Sequence, residues 1–175
     1  MTDDFVTRAA ERPQAEFVSA FPFPFLLGAA LDRPVTGPTQ TLRGDAASTL
    51  AALRKQAAAD RLTAAPKPGE SRLVLPVRKI QGSFPSMITV GRTKNNDVVL
   101  ADPLVSKFHA YFRLIDGAWL IADAGSINGT RIGDIELPKR GQPQPIHWGE
   151  RIAFGDCVLT FLDPAGAWTA LRARR

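Results

Sequence analysis

From Arg72 onward the chain alternates short apolar or apolar-polar runs with turn residues. The runs are Leu73 to Val77, Met87 to Val90, Val98 to Leu100, Phe108 to Ile115, Trp119 to Ala122, Arg151 to Phe154 and Val158 to Leu162. Between them stand Asp116-Gly117, Asn128-Gly129, Gly133-Asp134, Gly141, Gly149 and Gly155-Asp156. Many short runs closed by Gly, Asn and Asp predict an all-β antiparallel sandwich. Phe112, Trp119, Ile121, Phe154 and Phe161 are its natural core. The pair Asp163-Pro164 then predicts a short C-terminal helix, with proline at the first helical position and Trp168 and Leu171 on one face.

Before Arg72 the texture differs. Residues 1–44 hold no sustained period; they contain Phe21-Pro-Phe-Pro-Phe25 and the turn-rich stretch from Arg33 to Thr41, and are expected to be an extended arm. Proline favours polyproline or edge-like geometry. Phenylalanines spaced by two put their rings on one side, where they dock on the protein's own domain or offer a sticky segment to a partner. From Asp45 to Leu62, an interior of Ala, Leu, Arg, Lys and Gln with Asp45 or Ser48 as cap predicts a helix with a narrow apolar stripe at Leu50, Leu53 and Ala57. Two prolines and a glycine between Ala64 and Glu70 read as a linker. The expected division is 1–70 arm, helix and linker, 71–163 sandwich, and 164–175 helix and basic tail.

Composition narrows the function. Of 175 residues 45% are apolar and 22% charged, an ordinary globular balance. The net charge of +5 raises the question of nucleic acid. Residues 1–70 carry eight charges of each sign, residues 71–162 eleven basic against eight acidic, and the last thirteen three arginines against Asp163. No basic stripe interleaved with aromatics appears, so nucleic-acid binding is not expected. One cysteine, Cys157, and two histidines, His109 and His147, leave no disulfide and too few soft ligands for a metal site, and fit a reducing, cytoplasmic compartment. The uncharged stretch Phe17 to Leu31 is shorter than a membrane span and holds Pro22 and Pro24, so no span is expected. Acidic residues around Arg8 and Arg12 argue against a signal peptide. Arginine outnumbers lysine 16 to 6 amid abundant Ala, Gly and Pro, the composition of a GC-rich bacterial genome.

Four glycine-containing or polar loops lie between the predicted strands: Val90-Gly-Arg92, Leu104 to His109, Gly125 to Thr130 and Trp148-Gly-Glu150. A sandwich gathers its loops at two ends, so Arg92, Ser106, Lys107 and Asn128 can meet. A forked cation, a hydroxyl, a second cation and an amide are the groups that hold a dianionic phosphate and the peptide bonds beside it.

Gly91-Arg92, Asn96 to Leu100, Val105 to Ala110, Asp123 to Thr130 and Gly149 to Gly155 resemble, in order and spacing, the motifs of the forkhead-associated (FHA) domain. The resemblance covers about residues 72–162. It implies an eleven-stranded β-sandwich that binds threonine-phosphorylated peptides through loops at one end, in the service of a Ser/Thr protein kinase or its substrate. Residue by residue, Arg92 resembles the arginine that braces the phosphopeptide and Ser106 the serine that donates to phosphate. Lys107 falls at a variable basic or amide position, and Asn128 resembles the asparagine that bonds the peptide backbone. His109, Gly91, Gly129 and Thr130 match structural positions, the two glycines being expected to supply backbone freedom. One departure stands out: Ile127 occupies a position that is often threonine in the family. Either Arg92, Ser106, Lys107 and a backbone N–H hold the phosphate, or phosphate binding is weakened; Ser126, at a structural position, is the neighbour at hand to compensate.

The competing expectation is a phosphate-independent assembly scaffold that uses the sandwich, the Phe21–Phe25 arm or the C-terminal helix. No cofactor and no enzymatic activity are expected: Cys157 starts a core strand, His147 has no nucleophile paired to it, and no phosphate-cradling Gly-x-x-x-x-Gly-Lys loop is present. Thr36, Thr39 and Thr41 form a proline-flanked segment that a kinase could reach, and, once phosphorylated, could return to Arg92 and Ser106 as a switch.

Overall fold

A computed structural model describes residues 3–29, 72–80 and 84–173 of the chain. Among the described residues two seven-residue helices, α1 (Asp3–Ala9) and α2 (Gln14–Ala20), precede eleven strands. These are β1 (Phe25–Ala29), β2 (Arg72–Pro76), β3 (Ile88–Gly91), β4 (Val98–Val99), β5 (Ala110–Ile115), β6 (Ala118–Asp123), β7 (Thr130–Ile132), β8 (Ile135–Glu136), β9 (Gln144–Pro145), β10 (Arg151–Phe154) and β11 (Cys157–Leu162). Helix α3 (Pro164–Arg172) follows, its first turn capped by the Asp163 carboxylate, which accepts from Gly166 N–H at 2.9 Å.

The strands form a sandwich of two sheets, ordered β2-β1-β11-β10-β7-β8 and β4-β3-β5-β6-β9. Pairing is antiparallel throughout except between β3 and β4, which run parallel. The alternation expected on β5 and β11 is realised: Ala110 and Phe112, and Cys157, Leu159 and Phe161, turn inward. Phe112, Ile121, Ile152, Phe154 and Phe161 fill the space between the sheets, with Trp119 packed at the edge. Asp116 and Gly117, both at positive φ, close the β5–β6 hairpin.

Residues 3–29 depart from the expected extended arm. Strand β1 is a full member of the first sheet, between β2 and β11, with Phe25 opposite both Pro76 and Leu162. The boundary expected at residue 71 therefore cuts through the sandwich. Helices α1 and α2 lie with α3 over the outer face of that sheet, where Val6, Ala10, Phe17, Phe21, Phe25, Val74, Ala167 and Leu171 make a second core. Rings of Phe21, Phe23 and Phe25 contact one another at 5.4–6.1 Å, so the phenylalanines dock on their own domain. Isolated seven-residue helices are not stable in water, and here the buried Phe17 and the bond from Trp168 Nε1 to the Arg12 carbonyl at 2.9 Å fix them.

Ala29 stands opposite Arg72, and Gly28 approaches Val158 and Leu159, so β1 and β2 are joined at the end of the sandwich where β11 begins. The helix expected over 45–62 and the threonines at 36, 39 and 41 lie outside the described residues.

Candidate functional site

Strand register assembles the loops. Ala110 pairs with Asp123, so the segment before β5 and the segment after β6 emerge at one end. Val90 also pairs with Ala110, which brings Gly91-Arg92 to that end. Phe154 pairs with Thr130, adding the Gly155 turn. Backbone bonds then lace the loops together. Arg92 N–H donates to the Ser106 carbonyl at 3.0 Å, His109 N–H to Val90 at 2.8 Å, and Gly155 N–H to Gly129 at 2.9 Å.

Beneath the surface, buried polar groups join the loops in a hydrogen-bond network. His109 is fully enclosed, its ring edge-on to Phe154. Its Nδ1 accepts from Ser106 N–H at 3.0 Å, which leaves the proton on Nε2 to donate to the Gly129 carbonyl at 3.1 Å. One neutral imidazole thus ties the β4–β5 loop to the β6–β7 loop. Burial holds its pKa below the ordinary histidine value, against the opposing pull of the Gly129 bond. Asp123 is enclosed as well, and burial alone would raise its pKa. Hydrogen bonds from the Ser126 and Thr130 hydroxyls, both 2.6 Å, and from the N–H groups of Ser126 and Gly125 overcome burial and leave it lowered. The Asn96 amide donates to the Lys107 carbonyl at 2.7 Å and to Thr93, fixing the loop that follows β3.

The two glycines play different parts. Gly129 sits at φ 78°, a left-handed conformation suited to glycine. Gly91 has no such conformation; a methyl group there would stand 2.3 Å from the Lys107 carbonyl oxygen, so close approach, and not the expected backbone freedom, is what the position requires.

Nearer the surface, Ser106 Oγ accepts from Ile127 N–H at 3.0 Å, and its own proton has no acceptor among the described residues. Asn128 is exposed, and its Nδ2 donates to the Leu104 carbonyl at 2.7 Å, so the amide oxygen is held away from the loop it braces. The half-buried Arg92 guanidinium makes one hydrogen bond among the described residues, to Pro103 at 3.3 Å. Lys107 is exposed beside Ser106. Arg92, the Ser106-Lys107 pair and Asn128, from three separate loops, therefore share one end of the sandwich.

Ile127 is 81% exposed, an apolar side chain at the apex of this end. Ser126 does not compensate for it: its hydroxyl is buried, donating to Asp123 and accepting from Gly129 N–H at 3.0 Å. Sequence reasoning overlooked Lys139, whose Nζ donates to the Ile127 carbonyl at 3.1 Å. The signal available was the adjacent cation pair Lys139-Arg140 between Pro138 and Gly141, a charged turn. Cys157 is buried at the start of β11, and the exposed His147 engages Glu150 through its backbone N–H. Among the described residues no group of three or more His, Cys, Asp or Glu is placed to hold a metal ion, and no helix is long and apolar enough to cross a membrane.

Residues 88–155 match the family model of the FHA domain. The oxoglutarate dehydrogenase inhibitor of Corynebacterium efficiens is 36% identical over 74 residues, 42% of this chain and 49% of that protein. The glycogen accumulation regulator GarA of Mycolicibacterium smegmatis is 43% identical over 44 residues, 25% of this chain and 28% of that one. The chain spans about half the length, or less, of the curated relatives it matches. Among solved structures, an FHA domain from Chlamydia trachomatis is 18% identical, with 80% of this chain and 97% of that one covered at a TM-score of 0.44. An FHA domain studied for phosphothreonine-dependent interactions is 23% identical, with 51% and 83% covered at 0.42. The matched residues run from the start of β3 to the turn after β10 and contain the loops that His109 and Asp123 hold together; over residues 88–155 the chain carries the FHA-domain match.

Proposed function

We propose that this domain is a phosphothreonine-peptide-binding module and acts as a non-enzymatic adaptor in bacterial Ser/Thr kinase signalling, within the cytoplasm. In this reading Arg92, Ser106 and Lys107 hold the phosphate and Asn128 bonds the backbone of the peptide beside it. The observation that carries it is the Ser106 hydroxyl. Its oxygen accepts from Ile127 N–H and its backbone is held by the His109–Ser106 bond, which leaves its proton for an acceptor on a ligand. Phosphothreonine brings about −1.5 to −2 charges and three acceptor oxygens at neutral pH, and each charge-assisted bond contributes roughly 1.5–3 kcal/mol net. The relatives' roles as an inhibitor of a dehydrogenase and a regulator of glycogen accumulation agree with an adaptor that works by binding.

The scaffold alternative draws on the exposed Ile127 in place of a polar residue. It loses two of its proposed surfaces, because Phe21, Phe25, Ala167 and Leu171 are spent on the internal second core. Fluorescence anisotropy with a labelled peptide in threonine, phosphoserine and phosphothreonine forms separates the readings. The adaptor predicts binding of the phosphothreonine form, much weaker binding of phosphoserine, and loss of affinity in Asn128→Ala. Equal affinity for all three forms supports the scaffold.

A further inference from the structure

The end of the sandwich opposite the candidate site is built from different groups. Strand β5 runs six residues, about 20 Å, from Ala110 at the candidate site to the Asp116-Gly117 turn. Residues 146–150 reach the same far end, where Gly149 N–H donates to the Phe161 carbonyl at 2.7 Å. At the first end the core is closed by His109, Asp123, Ser126 and Thr130, all buried and hydrogen-bonded. At the second it is closed by rings. Trp148 stacks on Phe161 with centroids 4.9 Å apart and planes at 18°, and Trp119 meets the same ring edge-on at 5.9 Å. Leu114 stands opposite Trp119 in the β5–β6 ladder, so the two side chains share a face. Leu114 is 56% and Trp148 50% exposed, and Trp119 is half-buried. An exposed tryptophan is the residue type that most often anchors a protein interface.

Carboxylates rim this apolar surface. Asp116, exposed, lies two residues beyond Leu114. Glu150 accepts from His147 N–H at 2.7 Å, closing a turn that carries Trp148. Gly133 N–H donates to the Arg151 carbonyl at 2.9 Å, which sets the turn of the exposed Asp134 beside the start of β10. The cations of this end are committed elsewhere: Arg78 lies over the Phe23 ring, Lys79 is paired with Asp97, and Arg151 is half-buried. Arg113, next to Leu114 in β5, falls on the other face of the strand. A second copy of the chain fits this surface poorly, because a two-fold contact sets a patch against itself and would bring these carboxylates together. We propose that this end is a second protein-docking surface, and that its occupant is a partner segment with one large apolar or aromatic anchor flanked by lysine or arginine. The surface lies a strand's length from Arg92 and Ser106 and uses none of their groups. It therefore stands apart from the phosphothreonine reading, and both ends can be occupied at once.

Selection from a phage-displayed library of random twelve-residue peptides, with the full chain as target, tests the proposal without presuming a sequence. Selected peptides should converge on a large apolar or aromatic residue beside two or more lysines or arginines. A synthetic peptide of the converged sequence, titrated by anisotropy, should lose at least about tenfold in affinity for Trp148→Ser, as for an interface anchor. Leu114→Ser, at an exposed position, should weaken binding too, and decides the matter if Trp148→Ser does not fold. The Asp116→Asn/Asp134→Asn variant should lose about threefold, in the range of exposed ion pairs, and the wild-type affinity should fall as salt is raised. A selection without convergence overturns the proposal, as does convergence on acidic sequences or an affinity that survives in Leu114→Ser and in a folded Trp148→Ser. A wild type that sediments as a dimer, with Leu114→Ser a monomer, overturns the occupant in favour of a second copy.

Discussion

Ser106 is held through its N–H by His109 Nδ1, through its carbonyl by Arg92 N–H, and through its hydroxyl by Ile127 N–H. The placement of its hydroxyl therefore depends on the protonation of a fully buried residue. The His109 pKa is lowered in the fold, so the unfolded chain takes up the proton first. Stability supplied by the neutral imidazole is full above the unfolded value of about 6.5 and declines as pH falls below it. Asp123, lowered in the opposite chemical sense, keeps its contribution until pH falls below about 4. Urea unfolding measured from pH 8 to pH 3 should show a first loss of stability below about pH 6.5 and a second below about pH 4; a flat profile between pH 7 and pH 5 contradicts the His109 account. Gly91→Ala should disrupt the loop after β3, since the Lys107 carbonyl it would meet is itself anchored by Asn96 and Thr93. We expect a loss of roughly 1–3 kcal/mol, as for overpacking of a filled site, read by the same denaturation. At this scale the sequence was legible where a residue sits in a loop motif, as Arg92, Ser106 and Asn128 do. It was opaque at Lys139, because the contact with Ile127 depends on a turn placed by strand register and not on spacing.

Strand β1 marks the limit of periodicity as a guide to elements. Phe25 points into the outer helical core and Leu26 into the sandwich, so both faces of the strand are apolar and no alternation announces it. Pro22 and Pro24 precede the strand without interrupting its ladder, yet they made the segment look like polyproline chain. The strands with one face toward the core, β5 and β11, were legible from their alternation, and α3 from its Asp-Pro start. Helices α1 and α2 carry too few turns to declare a face, and packing against α3 and β2 gives them their place. Phe25→Ala should cost about 3–5 kcal/mol of stability, the range for deleting a fully buried ring. A change below 1 kcal/mol in urea unfolding would mean that the N-terminal layer folds independently of the sandwich.

For the whole molecule, the excess of basic residues acquires a location. Arg92, Lys107, Lys139 and Arg140 all lie in loops at one end of the sandwich, at positions spread over nearly fifty residues of sequence. A localised charge of this kind suits a discrete anionic group better than a polyanion. The central claim is that this end recognises phosphothreonine through Arg92 and Ser106, and isothermal titration calorimetry with one peptide in phosphorylated and unphosphorylated forms tests it most directly. The account predicts saturable binding of the phosphothreonine form alone, lost in Arg92→Ala and in Ser106→Ala with a cost of about 2–5 kcal/mol each, while both variants retain the wild-type unfolding transition. Equal affinity of the wild type for the two forms of the peptide would contradict it.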